Sequence, residues 1–150
     1  GVFMEKNSVV ENGHTILFKS SEHKRFYQET LLKCRCQDVY HKALVYCLGI
    51  DWDTRHRAEQ IFDFNSGFVK PECLQEGWQT GGSQKIIRMA FNLYCNGTPS
   101  IYEYEDKEGQ LRECRKYTAE ELFCCSYARY FWEAIKIRYP EQCFDEGGAD

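Results

Sequence analysis

The sequence has no motif that by itself defines an enzyme, a zinc centre or a membrane protein. No Cys-x-x-Cys pair occurs, so the usual spacing of a structural zinc site is missing. No apolar run approaches the roughly 18 residues that are needed to cross a bilayer. The N-terminus also lacks the charged and then apolar order of a secretory signal. These absences predict a cytoplasmic protein that is not inserted in a membrane and uses no cofactor and no metal.

Net charge excludes another class of partner. The chain carries a net charge of −4, which argues against general affinity for nucleic acid. The charge is uneven, because residues 19–57 hold eight basic and five acidic side chains, whereas residues 58–150 hold ten and sixteen. A local basic face is therefore compatible with the composition, although amphipathic helices commonly expose such charges to solvent.

Nine cysteines are present, but their positions do not indicate a disulfide framework. The number is odd and the spacing is irregular. Free cysteine behaves as a small hydrophobe inside apolar helical patterns. We therefore expect free thiols in a reducing compartment, buried at five positions: Cys34, Cys47, Cys95, Cys124 and Cys125.

Size and composition predict a single domain. A chain of 150 residues with 43% hydrophobic content is long enough to bury a core without metal or disulfides. We expect an N-terminal extension over residues 1–18, a helical domain over 19–143 and a disordered tail over 144–150.

Helical periodicity dominates the first half of that domain. A first helix is predicted over 22–35, with Ser20 or Ser21 as its cap. A second follows over 39–48 and ends with Gly49 in the C′ position. A third begins at Asp51 or Asp53, carries Ala58, Ile61 and Phe62 inward, and ends at the Asn65-Ser-Gly67 turn.

The second half contains the two most apolar helices. Residues 68–82 read as an ordered connection in which Pro71 opens one helical turn, and a fourth helix runs over 83–95. Thr118-Ala-Glu-Glu121 is a capping box that opens a fifth and longest helix, to Arg138. Between them, residues 100–116 fit either a small β-hairpin or a polar loop. The prediction is a mostly α, compact single-domain bundle of about five helices, with the fourth and fifth helices packed at its centre.

A glycine-rich turn before the fourth helix is the best candidate for a small-ligand site. Gly81 and Gly82 can bring the backbone close to a ligand, and Ser83 is placed to cap the helix. Free amides at a helix start attract anions. The phosphate-loop motif itself is absent, so a capped core helix explains the same residues. The candidate ligand-binding residues are Trp78, Gly81, Gly82, Ser83, Lys85 and Arg88.

Other constellations favour a structural explanation. Asp51-x-Asp53 lacks the glycine of a calcium loop, so helix capping explains both aspartates. Cys34-x-Cys36 has His41 nearby but no second pair, so no metal site is predicted. The acidic run Tyr102-Glu-Tyr-Glu-Asp106 could mimic nucleic-acid charge, but such runs are usually solvated loops.

Two blocks of the sequence resemble a known family. They are KPECLQEGWQTGGSQKIIRMAFNLYCNG, over 70–97, and YTAEELFCCSYARYFWEAIKIRYPE, over 117–141. Together with the helix start at Ser20-Ser-Glu-His-Lys they are similar to small uncharacterised bacterial proteins. Those proteins share a domain of unknown function and occur in gut-associated Gram-positive bacteria and their mobile elements. The resemblance implies a bacterial, cytoplasmic protein and assigns no catalytic residue.

The sequence favours binding over catalysis. A compact helical domain without a catalytic constellation commonly acts through its surface. We therefore expect a non-enzymatic interaction protein with a protein partner, an accessory or anti-defence factor of a mobile element. The alternative is a small phosphate- or nucleotide-handling enzyme that binds an anion at the start of the fourth helix. A cavity with converging polar groups around Ser83, Lys85 and Arg88 would favour the enzyme.

Overall fold

The computed structural model describes residues 7–144, and helices make up most of them, as the sequence predicts. Two small antiparallel sheets of two strands each complete the fold. The strands are β1 Ser8–Glu11, β2 His14–Leu17, β3 Phe62–Asp63 and β4 Phe68–Val69. The helices are α1 Ser21–Leu31, α2 Val39–Leu48, α3 Trp52–His56, α4 Ala58–Ile61, α5 Gly81–Cys95, α6 Lys107–Arg115, α7 Ala119–Phe123, α8 Ala128–Arg138 and α9 Pro140–Cys143, with a 3₁₀ helix at Pro71–Gln75. Five of these described helices have seven or more residues, which confirms the mostly α fold class.

The first hairpin packs against the helices instead of extending away from them. Asn12 and Gly13 both have positive φ, at 52° and 81°, which is the geometry of a tight two-residue hairpin turn. The Leu17 N–H donates to Glu133 Oε1 at 3.0 Å. Ile16 and Phe18 lie in the hydrophobic core. Residues 8–18, which the sequence assigns to an N-terminal extension, therefore belong structurally to the helical domain.

The start of α1 is held by a buried histidine. Ser20 is the N-cap and its Oγ accepts from the His23 N–H at 3.1 Å. The His23 ring is completely buried, and its Nδ1 accepts from the Lys19 N–H at 3.1 Å. Its Nε2–H therefore donates to the Tyr46 carbonyl on α2, at 2.7 Å. The ring joins α1 to α2 in its neutral form.

Helix α2 is the centre of the molecule. Ala43, Leu44, Val45, Tyr46, Cys47 and Leu48 have no solvent exposure. Helices α5 and α8 make their most extensive contacts with α2 and touch each other less. The expectation that the fourth and fifth predicted helices form the centre is therefore wrong, because each covers a different side of α2.

The residue that ends α2, Gly49, is a glycine for a steric reason. Its φ is −79°, in the right-handed region, so the left-handed C′ conformation that the sequence predicts is not adopted. A Cβ at this position would lie 2.6 Å from His23 Cδ2 and 2.9 Å from Phe26 Cδ1. Glycine lets the buried ring of His23 and the half-buried ring of Phe26 approach the end of α2.

The predicted third helix is two short helices and a hairpin. Asp51 caps α3 by accepting from the Asp53 N–H at 3.2 Å, as the sequence predicts. Arg57, at φ −115° and ψ 22°, then interrupts the helix. Phe62 is buried and extended, and it pairs with Val69 instead of continuing a helix. Gly67, at φ 78°, lies in the connection between these two strands.

Residues 100–116 form neither a β-hairpin nor a polar loop over their whole length, so that prediction is wrong. Helix α6 occupies Lys107–Arg115, and Asp106 caps it by accepting from the Gly109 N–H at 2.9 Å. Glu108 and Arg112 have the i, i+4 spacing that supports a helix. That spacing and the Asp106 cap were the sequence signals for α6.

The predicted longest helix is broken in two. Thr118 caps α7, but Cys124 leaves the helical conformation at ψ 62°, and α8 begins only at Ala128. Cysteine and serine in this stretch have modest helix propensity. Helix α7 contacts α5, whereas α8 packs mainly against α2 and touches α5 less.

The thiols differ in burial from what the helical pattern predicts. Cys47 is fully buried, as expected, and Cys34 and Cys125 are half-buried. Cys95 and Cys124 are exposed, so the prediction is wrong for these two. Cys95 is the last residue of α5, and Cys124 lies in the break after α7. The predicted disordered tail spans residues 144–150. Phe144 is ordered, since its ring stacks on His14 with centroids 3.9 Å apart, and residues 145–150 lie outside the described residues.

Replacing Phe131 tests the core assignment. Phe131 is completely buried on α8, whereas the neighbouring Trp132 keeps 50% of its surface exposed. We expect Phe131→Ala to lower the free energy of unfolding by about 3–5 kcal/mol. In urea denaturation, Trp132→Ala should cost much less, and equal losses for the two variants would contradict the assignment.

A second test uses the pH dependence of stability. Burial lowers the pKa of His23 from 6.5 to about 4, although its hydrogen bond to Tyr46 opposes this change. Between these two values the unfolded chain binds a proton that the folded chain excludes, so stability falls as the pH falls from 6.5 to 4. The loss from this residue is about 3 kcal/mol.

The measurement is urea denaturation at several pH values. The His23→Gln variant should lack this part of the pH dependence, whatever its own stability. The His56→Gln variant should keep it, because His56 is exposed. A pH dependence that is unchanged in His23→Gln would show that His23 is not the group responsible.

Candidate functional site

The glycine-rich turn forms a capped helix start. Helix α5 begins at Gly81, two residues earlier than predicted, and Thr80 is its N-cap. The Thr80 hydroxyl accepts from the Ser83 N–H at 3.1 Å, and Ser83 Oγ accepts from the Thr80 N–H at 2.8 Å. The assignment of Ser83 as the cap is therefore wrong, because it is the third residue of a reciprocal capping box.

The two glycines at this start differ in their surroundings. Both lie inside α5, where they do not need positive φ. A Cβ on Gly82 would lie 3.0 Å from Tyr127 Cε2, so Gly82 permits close packing of this ring. A Cβ on Gly81 would meet no atom within 4 Å. The role of Gly82 in the structure is packing against Tyr127.

The cations of the predicted site point to different partners. Lys85 Nζ donates to the backbone carbonyl of Glu121. Arg88 is 7% exposed and forms two hydrogen bonds with Glu113, at 2.7 and 3.1 Å. Trp78 donates to Glu76 Oε2 at 2.8 Å, and the Arg57 guanidinium lies over its ring. The counter-charge of Arg88 is thus Glu113.

The hollow beside Arg88 does not unite the six predicted residues. This hollow of about 70 Å³ is lined by Pro71, Leu74, Gln75, Gln84, Arg88, Ile101, Tyr102, Glu113 and Lys116. Of the six, it includes Arg88 alone. Sequence reasoning missed Glu113 because α6 was assigned to a hairpin or loop. Binding of an anion at this helix start stays a prediction, and the internal partners of Lys85 and Arg88 give it little support.

A larger concave surface lies between α1 and α3–α4, and we call it the α1 groove. Two adjoining hollows of about 320 and 300 Å³ share Phe26, Arg55 and His56. The first is completed by Glu22, Arg25, Glu29 and Trp52, and the second by Thr30, Lys33, Arg57, Ala58, Glu59, Gln60 and Phe64. The shared residues make the two hollows one elongated site.

The floor of the α1 groove is aromatic and held in place. The Trp52 ring stacks on His56 with centroids 4.0 Å apart, and the His56 Nδ1–H donates to the Trp52 carbonyl at 2.8 Å. Arg55 Nη1 donates to the Gly49 carbonyl at 2.8 Å, where a cation complements the end of α2. Trp52 nevertheless remains 58% exposed.

The apolar cleft under the first hairpin is smaller and its charges are paired. It holds about 40 Å³ and is lined by residues of β1, β2, α2, α8 and α9, including Ile16 and Ile137. Lys42 pairs with Glu11 at 3.7 Å, and Lys136 pairs with Glu133. The cleft itself has room for a few water molecules, and an open hollow of about 490 Å³ adjoins it at His14 and Phe144. The cleft is a packing boundary between the first hairpin and the helices.

One group of metal-type side chains also comes together among the described residues. The ligand atoms of Cys36, Asp38 and His41 all lie within 4.8 Å of one another. The sequence shows Cys36 and His41 near each other but does not indicate this arrangement with Asp38.

Comparison with known proteins identifies the family. Residues 13–149 match the family of unknown function DUF6075. The chain belongs to this family. The match includes both blocks on which the sequence resemblance rests, together with the α6 segment between them. No curated protein and no solved structure shows significant similarity to the chain. Within residues 7–144, no helix is long and apolar enough to cross a membrane.

The buried ion pair of Arg88 and Glu113 gives a test of how α5 and α6 are joined. Removing one partner leaves a buried charge without compensation, so Arg88→Met or Glu113→Leu should each lower the free energy of unfolding by about 3–5 kcal/mol. The double variant should recover most of this loss, because two apolar side chains replace the pair.

Lys116 provides the control for this cycle. It also lies near Glu113, at 3.6 Å, but its side chain is 50% exposed. Lys116→Ala should change stability by less than about 1 kcal/mol. A double variant that loses as much as the two single variants together would show that the ion pair is not what holds α6.

Proposed function

We propose that this member of DUF6075 is a non-enzymatic interaction protein that binds an acidic, hydrophobic segment of a partner protein in the α1 groove. The observation that carries the proposal is an exposed aromatic surface bordered by cations. Trp52 and Phe26 offer apolar contact, and Arg25 and Lys33 lie at the edges of the two hollows. Aromatic and arginine side chains are enriched where protein interfaces gain most of their binding energy.

Charge favours an acidic occupant. The groove is lined by four Lys or Arg side chains and three Glu side chains, in a chain whose net charge is −4. Within residues 7–144, Arg25 and Lys33 take part in no ion pair shorter than 4 Å. Hydrogen bonds from the Glu22 backbone N–H, and then from Ser21 and Ser20, lower the pKa of the Glu22 carboxyl, although desolvation opposes this change. The Glu22 carboxylate therefore accepts hydrogen bonds at the start of α1.

The enzyme alternative has less support in the geometry. It requires the cations at the start of α5 to converge on a ligand. Arg88 is instead buried against Glu113, and Lys85 is directed to the Glu121 carbonyl. These contacts favour the binding hypothesis over a phosphate- or nucleotide-handling enzyme.

The biological setting that we propose comes from the sequence resemblance. Similar proteins of gut-associated Gram-positive bacteria and their mobile elements support a bacterial, cytoplasmic protein. In that setting the protein is an accessory or anti-defence factor of the mobile element. A factor of this kind acts by occupying a surface of a host protein, which is compatible with a groove and requires no catalytic residue.

Binding of a labelled peptide with alternating glutamate and leucine tests the proposal. By fluorescence anisotropy we expect saturable binding, weakened at least tenfold by Arg25→Glu/Lys33→Glu and by Trp52→Ala. Both Arg25 and Lys33 are exposed, so these variants should fold normally. The matched control is Lys107→Glu, which reverses an exposed cation on α6 and should leave binding unchanged.

Three results would contradict the proposal. The first is equal weakening by Lys107→Glu, which would indicate a non-specific charge effect. The second is tighter binding of a single-stranded DNA oligonucleotide of the same charge, which would point to a nucleic-acid groove. The third is concentration-dependent self-association abolished by Trp52→Ala, which would assign the groove to a second copy of the chain.

A further inference from the structure

Three side chains with metal-binding chemistry meet where the connection after α1 enters α2. They are Cys36, Asp38 and His41, and their ligand atoms all lie within 4.8 Å of one another. Cys36 is exposed, the Asp38 side chain keeps 42% of its surface, and the His41 side chain keeps 10%. The group thus opens to solvent on one side and is anchored in the core on the other.

Local helix geometry creates this arrangement. Asp38 is the N-cap of α2, and its Oδ1 accepts from the His41 N–H at 2.9 Å. Residues three apart lie on the same face of a helix start. The same oxygen therefore also contacts His41 Nδ1, at 2.8 Å. Cys36, two residues before the cap, completes the group from the connecting segment.

The His41 ring lies between Tyr94 and Asp38. Tyr94 has one hydroxyl proton, and it is donated to the Gly67 carbonyl at 2.7 Å. The Tyr94 oxygen lies 3.4 Å from His41 Nε2. On the other side of the ring, His41 Nδ1 lies 2.8 Å from the Asp38 carboxylate. Both Nδ1 and the carboxylate oxygen have a lone pair that a metal cation could accept.

We propose that Cys36, Asp38 and His41 bind a zinc ion through Sγ, a carboxylate oxygen and Nδ1. Thiolate, imidazole and carboxylate together suit Zn²⁺ better than magnesium or calcium, which prefer oxygen ligands alone. Three protein ligands leave a fourth position open to water or to a ligand from a partner.

The distances fit a tetrahedral zinc ion after small movements. Zinc lies about 2.3 Å from sulfur and about 2.0–2.2 Å from nitrogen and oxygen, so ligand atoms stand roughly 3.3–3.7 Å apart. His41 Nδ1 and Asp38 Oδ1 would separate slightly from 2.8 Å, and the separations of Cys36 Sγ would close from at most 4.8 Å. Cys34 stays outside this group, since its thiol is directed to the Thr30 carbonyl at 3.7 Å.

Tyr94 lies where it can fix the orientation of the His41 ring. A histidine that ligates a metal normally donates its other N–H to a fixed acceptor, and Tyr94 has this position. Tyr94 is thus a positioning residue.

Cobalt titration of the reduced, chelator-treated protein tests the site directly. We expect one equivalent of Co²⁺ to produce a thiolate-to-cobalt charge-transfer band with the visible bands of tetrahedral cobalt, and Zn²⁺ to abolish both. Cys36→Ser should remove the charge-transfer band, and it should fold normally because Cys36 is exposed. Cys114→Ser, which replaces another exposed thiol, should leave the spectrum unchanged.

Two further variants separate ligation from folding. Asp38→Asn keeps a good N-cap for α2 but removes the charge, so zinc affinity should fall at least tenfold while the helical circular dichroism is kept. Tyr94→Phe should weaken zinc binding about 10–100-fold and retain the cobalt bands. The proposal is overturned if no saturable cobalt spectrum appears, if the charge-transfer band persists in Cys36→Ser, or if Cys114→Ser removes it.

Discussion

The rest of the structure depends on burying α2. Six consecutive residues of this helix have no contact with solvent, so every side of the helix must be covered. Helix α1 covers one side, α5 and α8 cover others, and the first hairpin is fastened to it where Tyr46 Oη donates to the Leu17 carbonyl. A helix that is apolar all round can be stable in water only as such a core. The remaining helices are arranged by that requirement.

Burial on this scale brings polar groups into the interior, and each of the main ones is paired. His23 is bonded at both ring nitrogens, and Arg88 is matched by Glu113. Arg138 donates to the Leu93 carbonyl, and its guanidinium lies over the rings of Tyr40 and Tyr139. Among the described residues, no deeply buried side-chain nitrogen or oxygen lacks a partner. These pairs specify how the helices sit on α2 more closely than apolar contact alone would.

The sequence predicts what depends on neighbouring residues. The Ser20 and Thr118 caps, the span of α2 and the end of α5 at Cys95 follow from short patterns, and the structure has them. Contacts between distant segments were not predictable in this way. His23 looks like an exposed polar residue of α1 until Tyr46 covers it, and Glu113 looks like a solvated charge until Arg88 meets it. The break after α7 was also not predictable from local patterns, because α7 and α8 pack mainly against different helices.

The same contrast between local patterns and long-range contacts applies to the candidate sites. The glycine-rich turn was the most visible pattern in the sequence, yet its cations have partners within the fold. The α1 groove unites Phe26 with Trp52 and Phe64, which lie far apart along the chain, and no local spacing marks them as one surface.

The bond between the Leu17 N–H and Glu133 spans 116 residues, which has a consequence for how the protein is made. The hairpin is among the first described segments to leave the ribosome, but its anchor on α8 is among the last. Contacts between such distant segments slow folding, since a long loop must close before they form. The bond from Leu17 to Glu133 therefore forms only after α8 has been made, later than the contacts of Phe18 with the rings of His23, Tyr27 and Tyr46.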